Sequence, residues 1–99
     1  FVYTTCASKK EASTITHALL TKRLCACAVM FPVISSYWWK GKIENAKEYV
    51  VLIKTKKEKF KIIQKEIAKM HSYKTPCIIK LNVADVNKGY LAFLRKEVR

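Results

Sequence analysis

The chain opens on a β-rich block, Phe1 to Thr5, and passes at once to Ser8-Lys9-Lys10-Glu11, where a serine is followed three residues later by a glutamate. That spacing is a helix-start signal, because the serine and glutamate side chains satisfy otherwise orphaned N–H groups. Behind it Ala12, Ile15, Ala18 and Leu19 recur at helical spacing, and Lys22 and Arg23 place positive charge at the C-terminal end, so a helix is predicted from about Lys9 to Arg23. Cys25 to Phe31 is a continuous apolar run that resumes after Pro32 through Val33, Ile34, Tyr37, Trp38 and Trp39, a long strand bent near the proline. Gly41 marks a bulge, Glu44-Asn45-Ala46-Lys47 is the turn-capable stretch, and Tyr49 to Ile53 returns as the second half of a long hairpin. Thr55-Lys56-Lys57-Glu58 repeats the helix-start spacing, and Phe60, Ile63, Ile67 and Met70 form the apolar stripe of a second helix. After Pro76 the alternation Cys77, Ile79, Leu81, Val83 predicts a last strand from about Cys77 to Ala84, and Asn87 caps a short helix carrying Tyr90, Leu91, Leu94 and Val98.

The order is β-α-β-β-α-β with a C-terminal helix, an α+β, ferredoxin-like arrangement with an antiparallel sheet and a long hairpin between its second and third strands. In that architecture both main helices lie on one face of the sheet, and the other face of a monomer should be polar. Here alternation sends Tyr37 and Trp39 to one face and Trp38 to the other, and Tyr49, Val51 and Ile53 oppose Val50 and Leu52. Both faces of the hairpin are apolar. A second copy of the chain is the simplest cover for the open face, so homo-oligomerisation follows from patterning alone.

With 99 residues the chain is a single domain, residues 1–99, and 51% hydrophobic residues are enough for a packed interior. No apolar stretch is long enough to cross a membrane, and the start reads as a strand rather than a leader. Two glycines exclude a glycine-rich phosphate loop or dinucleotide fingerprint. The 20 Lys+Arg against 7 Asp+Glu give a net charge of +13, which raises nucleic acid or another anionic surface as a partner. Cys6, Cys25, Cys27 and Cys77 lie inside apolar segments without a loop-rich disulfide framework, and read as reduced, buried thiols of a cytosolic protein.

Five ordered segments carry a resemblance: Arg23-Leu24-Cys25-Ala26-Cys27, Ser36-Tyr37-Trp38-Trp39-Lys40-Gly41-Lys42-Ile43-Glu44, Ile53-Lys54-Thr55, His71-Ser72-Tyr73-Lys74-Thr75-Pro76 and Tyr90-Leu91. Together they resemble the successive motifs of the CutA divalent-cation tolerance proteins over nearly the whole chain. The resemblance implies a ferredoxin-like subunit, a tight homotrimer built through the long hairpins, a cytoplasmic setting in bacteria, and a link to tolerance of copper and other divalent metals. Some animal members are tied instead to the anchoring of acetylcholinesterase. It also implies that Trp39, Lys54, His71, Tyr73 and Tyr90 line clefts between subunits. Three departures bear on chemistry: the family's acid after the later proline falls on Cys77, the proline after the histidine falls on Ser72, and the first-strand cysteine discussed as a copper ligand in some bacterial members falls on Thr4. The cysteine of the family's second-strand segment falls on Cys27.

Each candidate residue has a plain reading beside a chemical one. His71, just past the second helix, can cap exposed carbonyls, or serve as a metal ligand with Cys77 and Cys27 in a soft nitrogen and sulfur set that favours copper or zinc. His17, mid-helix, has no partner by spacing. Tyr37, Trp38 and Trp39 can stack on a ligand ring or form oligomer core. Lys54, flanked by apolar residues, needs an acceptor, supplied by Glu44, Glu48 or a bound small anion. Lys56, Lys57, Lys59, Lys61, Lys65 and Lys69 form a solvated helix face or a phosphate-binding one, but Tyr49 to Lys54 lacks the glycine and aromatic pattern of RNA-recognition sheets. With one aspartate, Asp85, and no Ser-His-acid set by spacing, no enzymatic activity is expected.

Overall fold

The computed structural model describes residues 1–99. Its strands are β1 (Val2–Cys6), β2 (Cys27–Trp39), β3 (Lys42–Lys54) and β4 (Ile78–Lys80), and its helices α1 (Lys9–Thr21), α2 (Phe60–Met70) and α3 (Lys88–Glu97), with a short 3-10 turn over Lys57–Lys59. The sheet order is β2-β3-β1-β4 with every neighbouring pair antiparallel, the topology expected of the ferredoxin-like order. Ala12, Ile15 and Leu19 of α1 and Ile63 and Ile67 of α2 bury completely against Val2, Cys6, Val51 and Ile53, all on one face of the sheet. The core therefore sits between the two long helices and the near halves of β1 and β3.

Several element boundaries differ from the sequence reading. The hairpin turns at Lys40-Gly41, where both φ angles are positive (49° and 77°), as the two-residue turn that matches strand twist requires. Gly41 is thus the turn itself and not a bulge, and Glu44-Asn45-Ala46-Lys47 is paired strand opposite Ile34, Ser35, Ser36 and Tyr37. These residues are polar because the arm they belong to projects beyond the helices. β4 is much shorter than Cys77 to Ala84. One further rung forms between Phe1 and Leu81, after which Val83 and its neighbours have no strand alongside. The first helix stops at Thr21, because Arg23 takes a left-handed φ of 58° and Arg23 and Leu24 donate N–H bonds back to Leu20 and Leu19. This C-terminal motif ordinarily uses glycine. Thr55 caps no helix: its hydroxyl is buried and donates to the Leu24 carbonyl at 2.6 Å, tying the end of β3 to the entry of β2. Asn87 holds the cap position of α3 without a side-chain bond. Cys77 is exposed, unlike the buried Cys6 and Cys25, and no disulfide is present.

The helix start at Ser8 does form. Ser8 Oγ accepts the Glu11 N–H at 3.2 Å, while Glu11 reaches back to the Ala7 N–H at 3.0 Å and across to the Ser72 N–H at 2.7 Å. One carboxylate therefore closes the α1 N-terminus and pins the segment that follows α2. Partial burial opposes ionisation of Glu11, but the bonds from Ser72 and Ala7 and the nearby His71 outweigh it and hold its carboxyl below the usual range.

Substituting Gly41 by Ala places a side chain where nothing crowds it but φ is +77°, so the cost is conformational, about 1 kcal/mol. Gly89→Ala, in α3, where the added carbon meets only the Asn87 side-chain amide at 3.8 Å, should instead add some tenths of a kcal/mol up to about 1. Urea unfolding of both variants at one protein concentration reads the opposite signs. Glu11→Gln keeps one acceptor oxygen and should cost about 1–2 kcal/mol at pH 7. Because folding depresses the Glu11 pKa, its contribution is complete above the unfolded value and is lost as pH falls through the folded one. The gap between wild type and Glu11→Gln should therefore narrow below about pH 4 in the same urea assay.

Candidate functional site

Two neighbourhoods and one distant tip hold the residues singled out from the sequence. The first lies where β2 begins and β3 ends. Cys27 pairs with Lys54 across the hairpin, and Lys54 Nζ sits 5.4 Å above the Tyr90 ring of α3. α3 is drawn to this corner by the Arg23–Glu97 ion pair and by the Arg99 N–H, which donates to the Arg23 carbonyl. The acceptor expected for Lys54 from Glu44 or Glu48 is absent, and an aromatic face takes its place. Tyr90 Oη is buried beside the Cys27 thiol without a hydrogen bond of good geometry. Burial, then the neighbouring thiol, pushes the Tyr90 phenol up. An unsatisfied buried hydroxyl costs roughly 1–3 kcal/mol, so this corner is short of one polar partner.

The second neighbourhood lies at the opposite end of β1, where α2 ends. His71 is the C-terminal cap residue of α2, with its Nε2 2.7 Å from the Thr5 carbonyl of β1 and its Nδ1 accepting the Tyr73 N–H at 3.1 Å. The two bonds fix the tautomer: Nε2 carries the proton and Nδ1 the lone pair. His71 does cap a carbonyl, but that of a strand and not of its own helix. Tyr73 packs its ring 4.8 Å from the imidazole and donates its hydroxyl to Glu48 Oε2 at 2.7 Å. Burial, reinforced by that bond to a carboxylate, pushes the Tyr73 phenol well above its ordinary range. Glu48 is itself buried within β3, and it helps, after burial, to raise the Cys77 thiol.

Trp39 belongs to neither group. It pairs with Lys42 at the far end of the hairpin, under the Lys40 ammonium, whereas Cys27 and Lys54 close the near end. A strand of 13 residues at about 3.3 Å per residue separates them by roughly 40 Å. The proposed metal set of His71, Cys77 and Cys27 is not brought together either. Cys27 belongs to the Lys54 corner, and the ligand-type groups that do converge on His71 are Cys6 and Glu11, all within 4.8 Å of one another. Within one subunit, that predicted set does not converge on a common point. His17 is exposed on α1, as its spacing indicated. Glu11 was visible in the sequence as a helix-start residue; its reach to Ser72 was not. Glu48 had one signal, an acid inside the apolar β3 block.

A family model described as CutA1 divalent ion tolerance protein matches residues 1–97. The divalent-cation tolerance protein CutA of Archaeoglobus fulgidus is 42% identical over 98 residues, covering 99% of this chain and 96% of that protein. The CutA of Thermotoga maritima is 42% identical over 97 residues, covering 98% and 96%. The solved structure of the Archaeoglobus fulgidus protein, described as periplasmic, superposes with a TM-score of 0.97 at 41% identity over 99% of this chain and 96% of its own. The matched residues span both neighbourhoods, the projecting hairpin and α3, and the chain belongs to the CutA1 family of divalent ion tolerance proteins.

Proposed function

We propose that this chain works as a homotrimer in the response to divalent metal ions, without enzymatic activity, and that clefts between its subunits bind a divalent metal or a small anion. The observation that carries this reading is the uncovered sheet face and hairpin arm. One rung of the sheet, Val29, Leu52, Tyr3 and Ile79, is apolar across all four strands on the face away from α1 and α2, and Val29 and Ile79 are exposed there. Further out, Ile34, Trp38 and Ile43 are 76%, 72% and 63% exposed on the arm. Full burial of each such side chain contributes roughly 1.5–3 kcal/mol. An apolar interface of that kind is needed to overcome repulsion between subunits that each carry +13.

The same arrangement supports the cleft. Trp39 lies a hairpin's length from Lys54 and Tyr90 of its own subunit, so it reaches such residues only in another copy. The orphaned Tyr90 hydroxyl beside the Lys54 ammonium supports an anion or a neighbouring polar group as occupant of that corner. No helix is long and apolar enough to cross a membrane, and four free thiols favour a reducing, cytoplasmic setting.

Light scattering at micromolar concentration is expected to give three times the 11.4 kDa subunit mass, unchanged in high salt. Ile34→Glu with Ile43→Glu should release monomers that retain their far-ultraviolet circular dichroism, since neither side chain belongs to the core. A monomeric wild type, or a mass that grows only with added nucleic acid and collapses in salt, sinks the reading and favours a basic nucleic-acid-binding module.

A further inference from the structure

Cys6 ends β1, Glu11 lies in the first turn of α1, and His71 ends α2, so three rigid elements deliver one ligand-type group each to a common point. A thiol sulfur, a carboxylate oxygen and an imidazole nitrogen stand within 4.8 Å of one another there. The geometry points to a Zn²⁺ site formed by Cys6, Glu11 and His71 within a single subunit.

The donor set is the first support. Thiolate, imidazole and carboxylate are the three side-chain ligands of protein zinc, and three of them leave a fourth tetrahedral position for water or a passing ligand. At zinc distances such atoms lie roughly 3.3–3.8 Å apart, so closure from 4.8 Å needs only about 1 Å of side-chain adjustment. One imidazole nitrogen is already held as in metal-binding histidines: Nε2–H donates to the Thr5 carbonyl, which leaves Nδ1 as the ring's lone-pair donor. Nδ1 exchanges only a 3.1 Å bond from the Tyr73 N–H, and each Glu11 oxygen accepts one N–H while keeping a second lone pair.

Charge is the second support. Thiolate and carboxylate balance a divalent cation, so the filled site places no uncompensated charge beside the α1 N-terminus, where a bare cation would be repelled. On binding, the Cys6 thiol proton leaves to solvent and sulfur takes the metal. Glu11 and His71 are only partly buried and provide the approach; Cys6, fully buried, is the inner ligand.

Co²⁺, titrated into reduced, metal-free protein, tests the site, because thiolate coordination gives a sulfur-to-cobalt absorption band that added Zn²⁺ bleaches. The band is expected in wild type and in the Cys27→Ser, Cys77→Ser double variant, and absent in Cys6→Ser. Glu11→Gln and His71→Ala should weaken Co²⁺ binding by more than ~100-fold, beyond the loss seen when only an outer partner of a ligand is removed. Far-ultraviolet circular dichroism without metal checks each fold. If Cys6→Ser does not fold, the double variant decides, since it leaves Cys6 and the buried Cys25, and Glu11→Gln distinguishes them. A wild type without the band, a band that survives Cys6→Ser, or one lost in the double variant overturns the proposal. Mass is read on the same samples. The band is expected whether the protein is trimeric or monomeric, so failure of the site and failure of the trimer are separate results.

Discussion

The Tyr49 to Ile53 stretch of β3 is paired on both sides and apolar on both faces, and the rest of the molecule is arranged around that constraint. Val51 and Ile53 point to α1 and α2 and are fully buried, while Val50, also buried, and the half-buried Leu52, one residue out of phase, point the other way. The helices of a 99-residue chain cover one face. α3, the only remaining helix, lies at the corner where β2 begins, held by Lys54, Arg23 and Glu97. What is left open is the rung from Val29 to Ile79 and an arm reaching far enough to stretch the subunit to 45 × 26 × 21 Å. An apolar sheet face and a long exposed strand pair are a liability in a lone molecule, and a matching surface on another copy would turn them into an interface.

The same geometry places the chemistry at element ends. His71, Glu11 and Cys6 meet because β1 ends, α1 starts and α2 stops at one edge of the sheet, and the Glu11 bonds to Ala7 and Ser72 close that edge. Lys54, Cys27 and Tyr90 meet at the other end of the strands. Rigid elements fix both groups. Cys6 and Cys25 are protonated at neutral pH, since burial, followed by their neighbouring groups, pushes each thiol up to about 11. Neither is a free nucleophile, and sulfur at Cys6 becomes a ligand only by exchanging its proton for a metal.

Element type and order were legible from periodicity because burial is one-sided for α1 and α2 and two-sided for β3. The stripe Ile63, Ile67 and the alternation through Val51 and Ile53 both come out fully buried. Boundaries failed where polarity had another cause. Glu44 to Lys47 looked like a turn because an arm beyond the helices keeps polar residues in its strands, whereas Lys40-Gly41 carried the true signal in glycine's tolerance of positive φ. Thr55 has the cap spacing to Glu58, but its hydroxyl is committed to a carbonyl distant in sequence. The site was only half legible for the same reason. Glu11 announced its local role through spacing to Ser8, but its bond to Ser72 spans 61 residues, and the approach of His71 to Thr5 spans 66. No local pattern encodes such pairs.

Small-angle X-ray scattering of the full chain in dilute solution addresses the open sheet face directly, because it reads mass and size together. An isolated subunit has a Cα radius of gyration of 14.1 Å. Burial of the arm and the Val29 to Ile79 rung by further copies predicts three subunit masses and a clearly larger radius, both constant on dilution through the micromolar range. A single subunit mass with a radius near 14.1 Å would contradict it, for that face would then stand in water.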